Sequence, residues 1–531
     1  MRFFIATISP KYPKNYDQCK VLGLWGMTTL KAEAELVRKG DRVALLMVNC
    51  PQFIIAYFGI LKIGAIVTSI SPVYVSPEIK HQINDSGTET VVCLDLLYDR
   101  IEKAEVRLKN VILTSITEFL PKSMQVISTS ILRSVYQKMS APTPVIYEKE
   151  GIYRFQELIK KYPPSPPVVE INSKEDIASL PYTGGTTGTP KGVMITHYNL
   201  VAAFTQVRAF ETHLQDGKEI MLGYMPFYHI AGQVSHMLNA MVRGFLIVIF
   251  STPDIDAILS AIERYQVSSF GATPGLFQLL RDHDKTRRVR WKRLKSIESG
   301  ADVLLEEIAT DWEKKTGTKI QDHWGLTETC STVVASPIGK TKPGALGIPL
   351  PNVIVAIAKE DGSAFLPLGE IGEILLRSLT VTKGYWNHPE ETKGAFVELG
   401  GETWFRTSDL GKMDEEGFLY FYDRKRDMIK YKGYSVFARE VEEVIMSYPK
   451  VKYVGVVGVP NPKVGQDVKA VIVLESDARG RVSEADIFKY CEDKLAHYKV
   501  PKIIEFRGEI PKTDVGKVSR RELREEAEEK L

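Results

Sequence analysis

One glycine- and threonine-rich segment has the composition of a phosphate-binding loop. It reads Tyr182-Thr183-Gly184-Gly185-Thr186-Thr187-Gly188-Thr189-Pro190-Lys191-Gly192. Glycines let the backbone approach a ligand and present N–H groups to an anion, while threonine hydroxyls and lysine add donors and positive charge. The loop is not of the Walker A type, because Pro190 precedes the lysine and Gly192, rather than Ser or Thr, follows it. The segment predicts a polyphosphate site, although a surface turn can have the same composition.

Seven segments, in the family's order, resemble the signatures of the adenylate-forming superfamily of acyl-CoA synthetases, luciferases and peptide-synthetase adenylation domains. The loop resembles Tyr-Thr-Ser-Gly-Thr-Thr-Gly-x-Pro-Lys-Gly, with Gly184 in place of the serine. The other six are Pro226–His229, Ser299–Ala301, Trp324–Glu328, Trp404–Asp409, Asp423–Asp427 with Lys430 and Lys432–Tyr434 after it, and Pro511–Lys517. Departures from the family pattern are Asp302-Val303 for Ala-Pro, Trp324 for Tyr and Ser408 for Gly. The resemblance extends over about residues 41 to 525.

The resemblance implies an enzyme that activates a carboxylic acid. In this family the carboxylate attacks the α-phosphate of ATP and releases pyrophosphate, and CoA then takes the acyl group from the acyl-adenylate. Both reactants of the first step are anions, so the protein must supply positive charge and orientation. By resemblance, Lys517 would be the catalytic lysine, Glu328 would act in catalysis through Mg²⁺, and His229 would orient or gate the acyl group.

The same resemblance implies residues for the metal, the nucleotide and CoA. Thr183 and Glu328 would hold Mg²⁺, a hard cation that prefers oxygen ligands. Asp409 would accept hydrogen bonds from the ribose hydroxyls, and Arg424 would donate to them. The other implied residues are Gly184, Gly185, Thr186, Thr187, Gly188 and Lys191 in the phosphate loop, Gly300, Ala301, Asp322, Trp324 and Thr327 in the adenine-side segments, and Lys432 and Gly433 at the pantetheine tunnel.

Several of these residues also have a structural interpretation. Lys517 has the context of a solvated loop lysine. Glu328 has that of a carboxylate favoured by the dipole at a helix N-terminus. His229 lies beside aromatic residues, where histidine is more often structural, and Trp324 would suit an apolar core. The functional interpretation therefore depends on the seven ordered segments together.

Gly325 indicates the size of the acid. The acetate-activating branch of the family has a bulky Trp at this position, and a glycine leaves room for a longer or wider acid. Phe270–Leu280 and Glu298–Val303 would supply further walls and are mostly small or apolar. We expect a medium- or long-chain fatty acid, and the same pocket permits an aryl acid.

The order of apolar runs predicts an α/β fold with largely parallel strands, to which the resemblance adds a small mobile C-terminal domain of α+β type. Glycine-broken strands over 344–423 predict a β-rich subdomain. The predicted domains are 1–425, with an atypical start over 1–40, and 426–531, joined by a hinge at Arg426. The strands are predicted at Val43–Met47, Ile66–Ser69, Val91–Leu94, Ile177–Tyr182, Phe245–Phe250, Val267–Phe270, Val454–Val459 and Ala470–Leu474, and helices at Asp256–Tyr265, Ala438–Ser447 and Glu484–Leu495.

Composition excludes several classes of protein. Across 531 residues the formal charge is +3, which argues against a nucleic-acid binder. The five cysteines are scattered without C-x-x-C spacing, which argues against disulfides and zinc and indicates a cytoplasmic location. The most apolar stretch, Phe53–Ile70, contains Lys62 and Gly64, which predicts a core helix leading into a strand rather than a membrane span. The oligomeric state stays open, with a dimer possible.

Three other functions stay open on the sequence alone. An adenylation enzyme that loads a free-standing carrier protein has the same signatures, although no carrier domain follows Leu531. A luciferase-like oxygenase shares the fold. A non-enzymatic nucleotide-binding regulator is the third, and the joint presence of Lys517, Glu328, Asp409 and Arg424 argues against it.

Overall fold

The computed structural model describes residues 37–119, 149–161, 168–184, 190–251, 254–302, 304–432, 434–513 and 517–529, together with the backbone of Phe3–Thr7. A π-helix extends over Ala231–Leu238. The α-helices are α1 (Pro51–Lys62), α2 (Ser76–Ser86), α3 (Tyr98–Ala104), α4 (Phe155–Lys161), α5 (His197–Phe210), α6 (Asn239–Val242), α7 (Ile255–Arg264), α8 (Pro274–Asp282), α9 (Glu306–Thr316), α10 (Pro389–Gly394), α11 (Ala438–Met446), α12 (Glu484–Glu492) and α13 (Arg520–Glu529).

The strands are numbered along the chain. They are β1 (Phe3–Thr7), β2 (Arg42–Leu46), β3 (Ile66–Ile70), β4 (Thr90–Leu94), β5 (Asn110–Thr114), β6 (Ile152–Arg154), β7 (Ile177–Ser179), β8 (Tyr182–Gly184), β9 (Pro190–Gly192), β10 (Ile195–Thr196), β11 (Ile220–Gly223), β12 (Leu246–Phe250), β13 (Ser269–Ala272), β14 (Ser296–Gly300), β15 (Gln321–Leu326), β16 (Ser331–Ala335), β17 (Ala345–Pro349), β18 (Val353–Ala358), β19 (Gly372–Ser378), β20 (Phe396–Leu399), β21 (Glu402–Met413), β22 (Leu419–Arg424), β23 (Ile429–Tyr431), β24 (Tyr434–Val436), β25 (Val451–Asn461), β26 (Gly465–Leu474) and β27 (Ile503–Arg507).

The largest sheet changes from parallel to antiparallel along its width. In the described part of the chain its order is β1-β12-β11-β13-β14-β15-β16-β17-β22-β21-β19-β18, with β20 beside β21. Strands β11 to β15 pair in parallel, whereas β15 onward pair antiparallel. The antiparallel part includes the region predicted to be β-rich. The parallel strands end at one edge, which is where ligands bind in open α/β sheets.

Two further sheets complete the layers. The order β10-β7-β3-β2-β4-β5-β6 forms a mainly parallel sheet, in which β10 alone pairs antiparallel among the described strands. After β22, strands β23 to β27 form a sheet of their own, with β26 at its centre. Helices α11 and α13 pack against β25. The predicted α/β fold class is confirmed.

Most predicted elements are present within one to three residues of their predicted ends. The run Phe53–Ile70 is indeed a buried helix, α1, followed by the buried strand β3. The predicted strand Ile177–Tyr182 is divided into β7 and β8, because Pro181 has no N–H for a ladder hydrogen bond. The predicted strand Val267–Phe270 begins later, at Ser269. In the described ranges, no helix has the length and apolarity needed to cross a membrane.

Local sequence explains where several helices begin. The Thr196 hydroxyl accepts the Asn199 N–H at 3.1 Å and begins α5, and the Asp254 carboxylate accepts the Ala257 N–H at 3.0 Å and begins α7.

The core between α8, α9 and the parallel strands is aromatic. Its Trp291 and Trp312 rings lie 4.6 Å apart, and both residues are almost fully buried. This packing fixes the parallel strands whose ends carry the site.

Candidate active site

The hairpin β8–β9 forms the base of the phosphate loop. Thr183 lies opposite Lys191, and Gly184 lies opposite Pro190. An antiparallel pair of this kind holds the two ends of the loop together, so the predicted metal residue Thr183 and the predicted phosphate residue Lys191 are neighbours. The predicted phosphate residues Gly185, Thr186, Thr187 and Gly188 lie outside the described residues.

Tyr385 connects the loop lysine to Glu328, a contact that sequence interpretation missed. The Lys191 side chain is 5% exposed, and its Nζ lies 2.9 Å from Glu391 Oε1. The same ammonium is 5.9 Å from the centroid of the Tyr385 ring. The Tyr385 hydroxyl donates to Glu328 Oε1 at 3.0 Å. Lys191, the Tyr385 ring and the Glu328 carboxylate therefore lie in one continuous row. No local sequence pattern could indicate Tyr385, because it is 57 residues from Glu328 along the chain.

Glu328 is held in a short turn beside this group. The turn is a 3₁₀ helix over Thr327–Thr329, so the predicted nucleotide residue Thr327 begins it. Burial raises the pKa of Glu328, while the hydrogen bond from Tyr385 and the charge of Arg424 act in the opposite direction. A cation beside Glu328 would stabilise its ionised form, which burial disfavours.

Asp409 and Arg424, the predicted ribose pair, are neighbours on β21 and β22. They face each other in register, and Arg424 Nε lies 3.6 Å from Asp409 Oδ1. Burial raises the pKa of Asp409 to about 6, whereas Arg424, a hydrogen bond from Trp324 and the charge of Lys517 lower it. Glu328 also acts on this carboxyl and raises its pKa. Predicted residues from three other segments, Arg424, Lys517, and Trp324 with Glu328, therefore act on Asp409.

Lys517 reaches the same place from the C-terminal hairpin. The Thr513 N–H donates to the Lys517 carbonyl at 2.7 Å, and the Lys517 N–H donates to Thr513 Oγ1 at 3.2 Å. The Lys517 charge is close enough to Asp409 and to His229 to lower the pKa of both side chains. The hairpin thus holds the predicted catalytic lysine near both Asp409 and His229.

His229 is neutral and has a defined tautomer. Burial, and then the charge of Lys517, lower its pKa to about 4. Its Nδ1 accepts the Ala231 N–H at 3.3 Å. A neutral imidazole that accepts through Nδ1 carries its proton on Nε2. His229 therefore presents Nε2–H as a donor, which suits the orientation of a carboxylate or a carbonyl.

Asn49 fixes the segment that carries His229, and sequence interpretation missed it. Its amide donates to the carbonyls of Gly223 at 3.2 Å and Met225 at 2.9 Å. Its Oδ1 accepts the Phe227 N–H at 2.7 Å. Asn49 follows β2 in the second sheet, so its role depends on packing between sheets. The one available signal is its place just after a buried strand, where parallel sheets hold functional residues.

The residues predicted to contact adenine lie at the ends of β14 and β15. Ser299 and Gly300 pair with Asp322 and His323, respectively. Ala301 continues the chain in the left-handed region at φ 66°. Burial raises the pKa of Asp322 to about 8, against a lowering by Arg439. Asp322 is therefore largely protonated at neutral pH and can donate a hydrogen bond.

Lys432 lies in the turn between β23 and β24, on the third sheet. Its backbone is left-handed at φ 49°, and its N–H donates to the Val464 carbonyl at 2.7 Å. Its ammonium is 5.6 Å from the centroid of the Tyr431 ring. The predicted tunnel residue Gly433 lies outside the described residues.

Gly325 has a different role from the one inferred from the sequence. A Cβ on this residue would lie 1.8 Å from the Ser331 carbonyl oxygen. The glycine therefore allows β15 and β16 to approach closely, and backbone fills the space that was expected for the acyl chain. The size of the acid cannot be argued from this glycine.

A buried carboxylate, Asp423, joins β22 to segments near Arg439 and Arg520, later in the chain. Asp423 is fully buried, and its Oδ1 accepts from Arg520 Nη1 at 2.7 Å and from the Arg424 N–H at 2.8 Å. Its Oδ2 accepts the Arg439 N–H at 3.1 Å. Arg520 is also bound through both Nε and Nη2 to the carboxylate of Glu442. Asp423 therefore fixes the helix that begins three residues after Lys517.

We expect Asp423→Asn to lower the free energy of unfolding by about 3 kcal/mol, because it leaves a buried arginine short of a charged partner. Urea-induced unfolding measures the change. The matched control is Asp477→Asn, which removes an exposed carboxylate 2.7 Å from Lys450 in the same part of the chain and should change stability little. Equal effects of the two substitutions would contradict this role for Asp423.

Comparisons with known proteins agree with the geometry. Residues 30–386 match the family model of the AMP-binding enzyme, and residues 440–517 match that of the AMP-binding enzyme C-terminal domain. A long-chain-fatty-acid–CoA ligase of Bacillus subtilis is 37% identical over 498 residues, which cover 93% of this chain and 87% of that protein. The long-chain-fatty-acid–CoA ligase of Escherichia coli O157:H7 is 33% identical over 505 residues, with the same coverage of both chains.

Solved structures share the fold. A fatty acyl CoA synthetase of Mycobacterium tuberculosis has a TM-score of 0.69 at 27% identity, covering 96% of this chain and 92% of that one. ATP-bound MatB from Rhodopseudomonas palustris has a TM-score of 0.79 at 24% identity, covering 96% and 93%. The resemblance in the seven segments is thereby confirmed, and the chain belongs to the AMP-binding enzyme family.

Proposed function

We propose that this protein activates a medium- or long-chain fatty acid with ATP and transfers the acyl group to CoA, releasing AMP and pyrophosphate. The observation that carries the proposal is the convergence of Lys517 and His229 with the Asp409–Arg424 pair and Glu328. The names of the curated relatives, long-chain-fatty-acid–CoA ligases, support the fatty acid as the substrate class.

In the first step the protein must bring two anions together. The Lys517 ammonium, next to the neutral His229, supplies positive charge where the carboxylate meets the α-phosphate. The His229 Nε2–H donates to the acid and orients it. The carboxylate oxygen bonds to the α-phosphorus, the bond to the pyrophosphate leaving group breaks, and the acyl-adenylate forms.

The nucleotide would be held beside the ends of β14 and β15 and the Asp409–Arg424 pair. Asp409 accepts from the ribose hydroxyls and Arg424 donates to them, while Trp324, Asp322, Thr327, Gly300 and Ala301 contact the adenine side. The loop residues Thr183, Gly184, Gly185, Thr186, Thr187 and Gly188 hold the phosphates together with Lys191.

Mg²⁺ fits the oxygen donors of Thr183 and Glu328. Burial disfavours the lone carboxylate of Glu328, so a divalent cation beside it stabilises the charged form. When bound, Mg²⁺ neutralises phosphate charge. The residues of this chain orient the nucleotide around it.

In the second step the CoA thiol replaces AMP at the acyl carbon. We propose that residues 426–531 form the C-terminal domain and 1–425 the N-terminal domain, with Arg426 at the hinge, and that Lys432 and Gly433 border the pantetheine tunnel. A short polar connection allows one domain to rotate, and such a rotation has to exchange the pairs of Asp423 with Arg439 and Arg520 for other partners.

A cytoplasmic location is part of the proposal. Cys50, Cys93, Cys330 and Cys491 are free thiols in the structure, and all are buried. Burial raises the pKa of the Cys50 thiol to about 12, which makes it inert. Free thiols are typical of a reducing compartment.

The function is tested by pyrophosphate release with a panel of carboxylic acids, with and without CoA. We expect turnover with medium- or long-chain acids and a thioester product when CoA is present. An acyl-adenylate that persists with CoA indicates a carrier protein as the acceptor instead. No turnover with any acid would refute the proposal.

Lys517→Ala should separate the two half-reactions. We expect pyrophosphate release to fall by about 100-fold or more, because a charge aimed at the transition state is lost. Thioester formation from supplied acyl-adenylate should be nearly unchanged. The control is Lys489→Ala, an exposed lysine of α12 that should retain both activities. An equal loss in both half-reactions would argue against this division of roles.

Adenosine affinity should depend on the ionisation of Asp409. Its carboxyl, with a pKa of about 6, accepts ribose hydroxyls when ionised, so binding is strong above that pH and weakens as the pH falls through it. We expect roughly 10-fold weaker binding at about pH 5 than at about pH 7. Adenosine is the probe because it has no titrating phosphate. Calorimetry should show weak, pH-independent binding for Asp409→Asn; an equally steep profile in this variant would exclude Asp409 as the cause.

A further inference from the structure

Tyr385 lies between the two residues proposed to hold Mg²⁺, Thr183 and Glu328. Its hydroxyl donates to Glu328 Oε1 at 3.0 Å, and its ring centroid lies 5.9 Å from Lys191 Nζ. Lys191 is directly opposite Thr183 on the hairpin β8–β9, and opposite residues of an antiparallel pair have their side chains on one face. Thr183, Lys191, Tyr385 and Glu328 therefore follow one another in space, although they come from three separate segments.

Backbone hydrogen bonds hold Tyr385 beside the hairpin. On both sides of this residue the chain pairs with the end of β9 and the residues after it. The Trp386 N–H donates to the Gly192 carbonyl at 2.8 Å, and the Met194 N–H donates to the Gly384 carbonyl at 2.9 Å. Removing the tyrosine hydroxyl therefore leaves the backbone contacts that place the ring.

The same stretch of chain also holds the turn that carries Glu328. The Thr382 N–H donates to the Glu328 carbonyl at 2.8 Å, and the Thr382 hydroxyl donates to the Met194 carbonyl at 2.8 Å. Residues 382–386 thus join the Glu328 turn to the hairpin that carries Thr183. The two proposed metal residues are linked through this backbone as well as through side chains.

The Tyr385 hydroxyl restricts the orientation of the Glu328 carboxylate. In the described ranges of the chain, it is the one side-chain group that donates a hydrogen bond to this carboxylate. An ionised carboxylate has about four lone-pair positions on its two oxygens, so one hydroxyl donor leaves it able to bind a cation as well. Carboxylates that bind metals are commonly oriented by a further hydrogen bond of this kind.

We propose that Tyr385 is a positioning residue for Mg²⁺-dependent nucleotide binding, and that its hydroxyl orients the Glu328 carboxylate before the metal arrives with the phosphates. The inference rests on the proposed function and adds to it a residue that no sequence signature indicated. Orientation before binding removes an entropic cost from the binding step. Because Tyr385 acts through Glu328, its effect is confined to the metal-dependent part of the affinity for ATP.

The test is the affinity of the whole chain for ATP, measured by calorimetry without a carboxylic acid, once with Mg²⁺ and once with EDTA. The ratio of the two dissociation constants is the gain from Mg²⁺. We expect Tyr385→Phe to lower this gain by about 10-fold or more, which is typical for the loss of a group that orients a metal ligand. The affinity in EDTA should stay the same, since phenylalanine keeps a ring beside Lys191.

Two further variants locate the effect. Tyr420→Phe is the matched control, because it also removes a phenol that donates to a carboxylate, Asp414 Oδ2 at 3.1 Å, outside the candidate site. It should keep the full gain from Mg²⁺. In a Glu328→Gln background, which lacks the carboxylate, Tyr385→Phe should cause no further loss of the gain. Thermal unfolding verifies that each variant is folded.

The outcomes separate the inference from the function. A gain from Mg²⁺ that is equal in Tyr385→Phe and in the unsubstituted protein would overturn the inference and leave acid activation intact. A loss of affinity that is the same with Mg²⁺ and with EDTA would also overturn it, and so would a further loss of the gain in the Glu328→Gln background. An unsubstituted protein whose affinity for ATP does not depend on Mg²⁺ would refute the metal site of the proposed function and the inference with it.

Discussion

The pairing of one buried carboxylate, Asp423, determines how the parts of the site are placed. Its donors come from β22 and from two later segments, which contain Arg439 and Arg520. A buried charge is tolerated only when it is paired, so these segments hold one another in position. Arg520 begins the helix after the Lys517 hairpin, and Arg424 adjoins Asp409. The carboxylate thereby sets the distance between the lysine and the ribose pair.

That placement gives the site a charge distribution suited to anions. Burial disfavours the ionised forms of Asp409 and Glu328. The charge of Arg424 partly restores both, and the charge of Lys517 acts on Asp409. Burial, and then the charge of the same lysine, lower the pKa of His229 and keep it neutral. In a partly desolvated site these charges act over several ångströms with little screening. Lys517 and Arg424 thus supply positive charge for an anion. The neutral His229 adds a hydrogen-bond donor without a further buried charge.

Sequence predicted the fold class, but it did not predict the contacts that join separate segments near Glu328 and His229. The buried strand β12 follows from the apolar run Phe245–Phe250, since such a run suits a strand covered on both faces. Tyr385 and Asn49 escaped prediction because their partners lie far along the chain. Gly325 was misinterpreted, because a glycine admits either a ligand or a neighbouring backbone, and only the strand pairing decides which.

Strand β14, near Gly271, carries polar residues where its buried position predicts apolar ones. A strand such as β14, buried in a parallel sheet, is expected to be continuously apolar, yet Ser296 and Glu298 both lie on it. Such a conflict between position and residue type lowers stability, and natural proteins retain it mainly where function compensates. The π-helix strengthens this argument, because π-helical turns are rare and are found frequently at functional sites. The two departures, one in residue type and one in backbone, are neighbours, because His236 Nε2 and Glu298 Oε2 both lie beside Gly271, which has no Cβ to separate them.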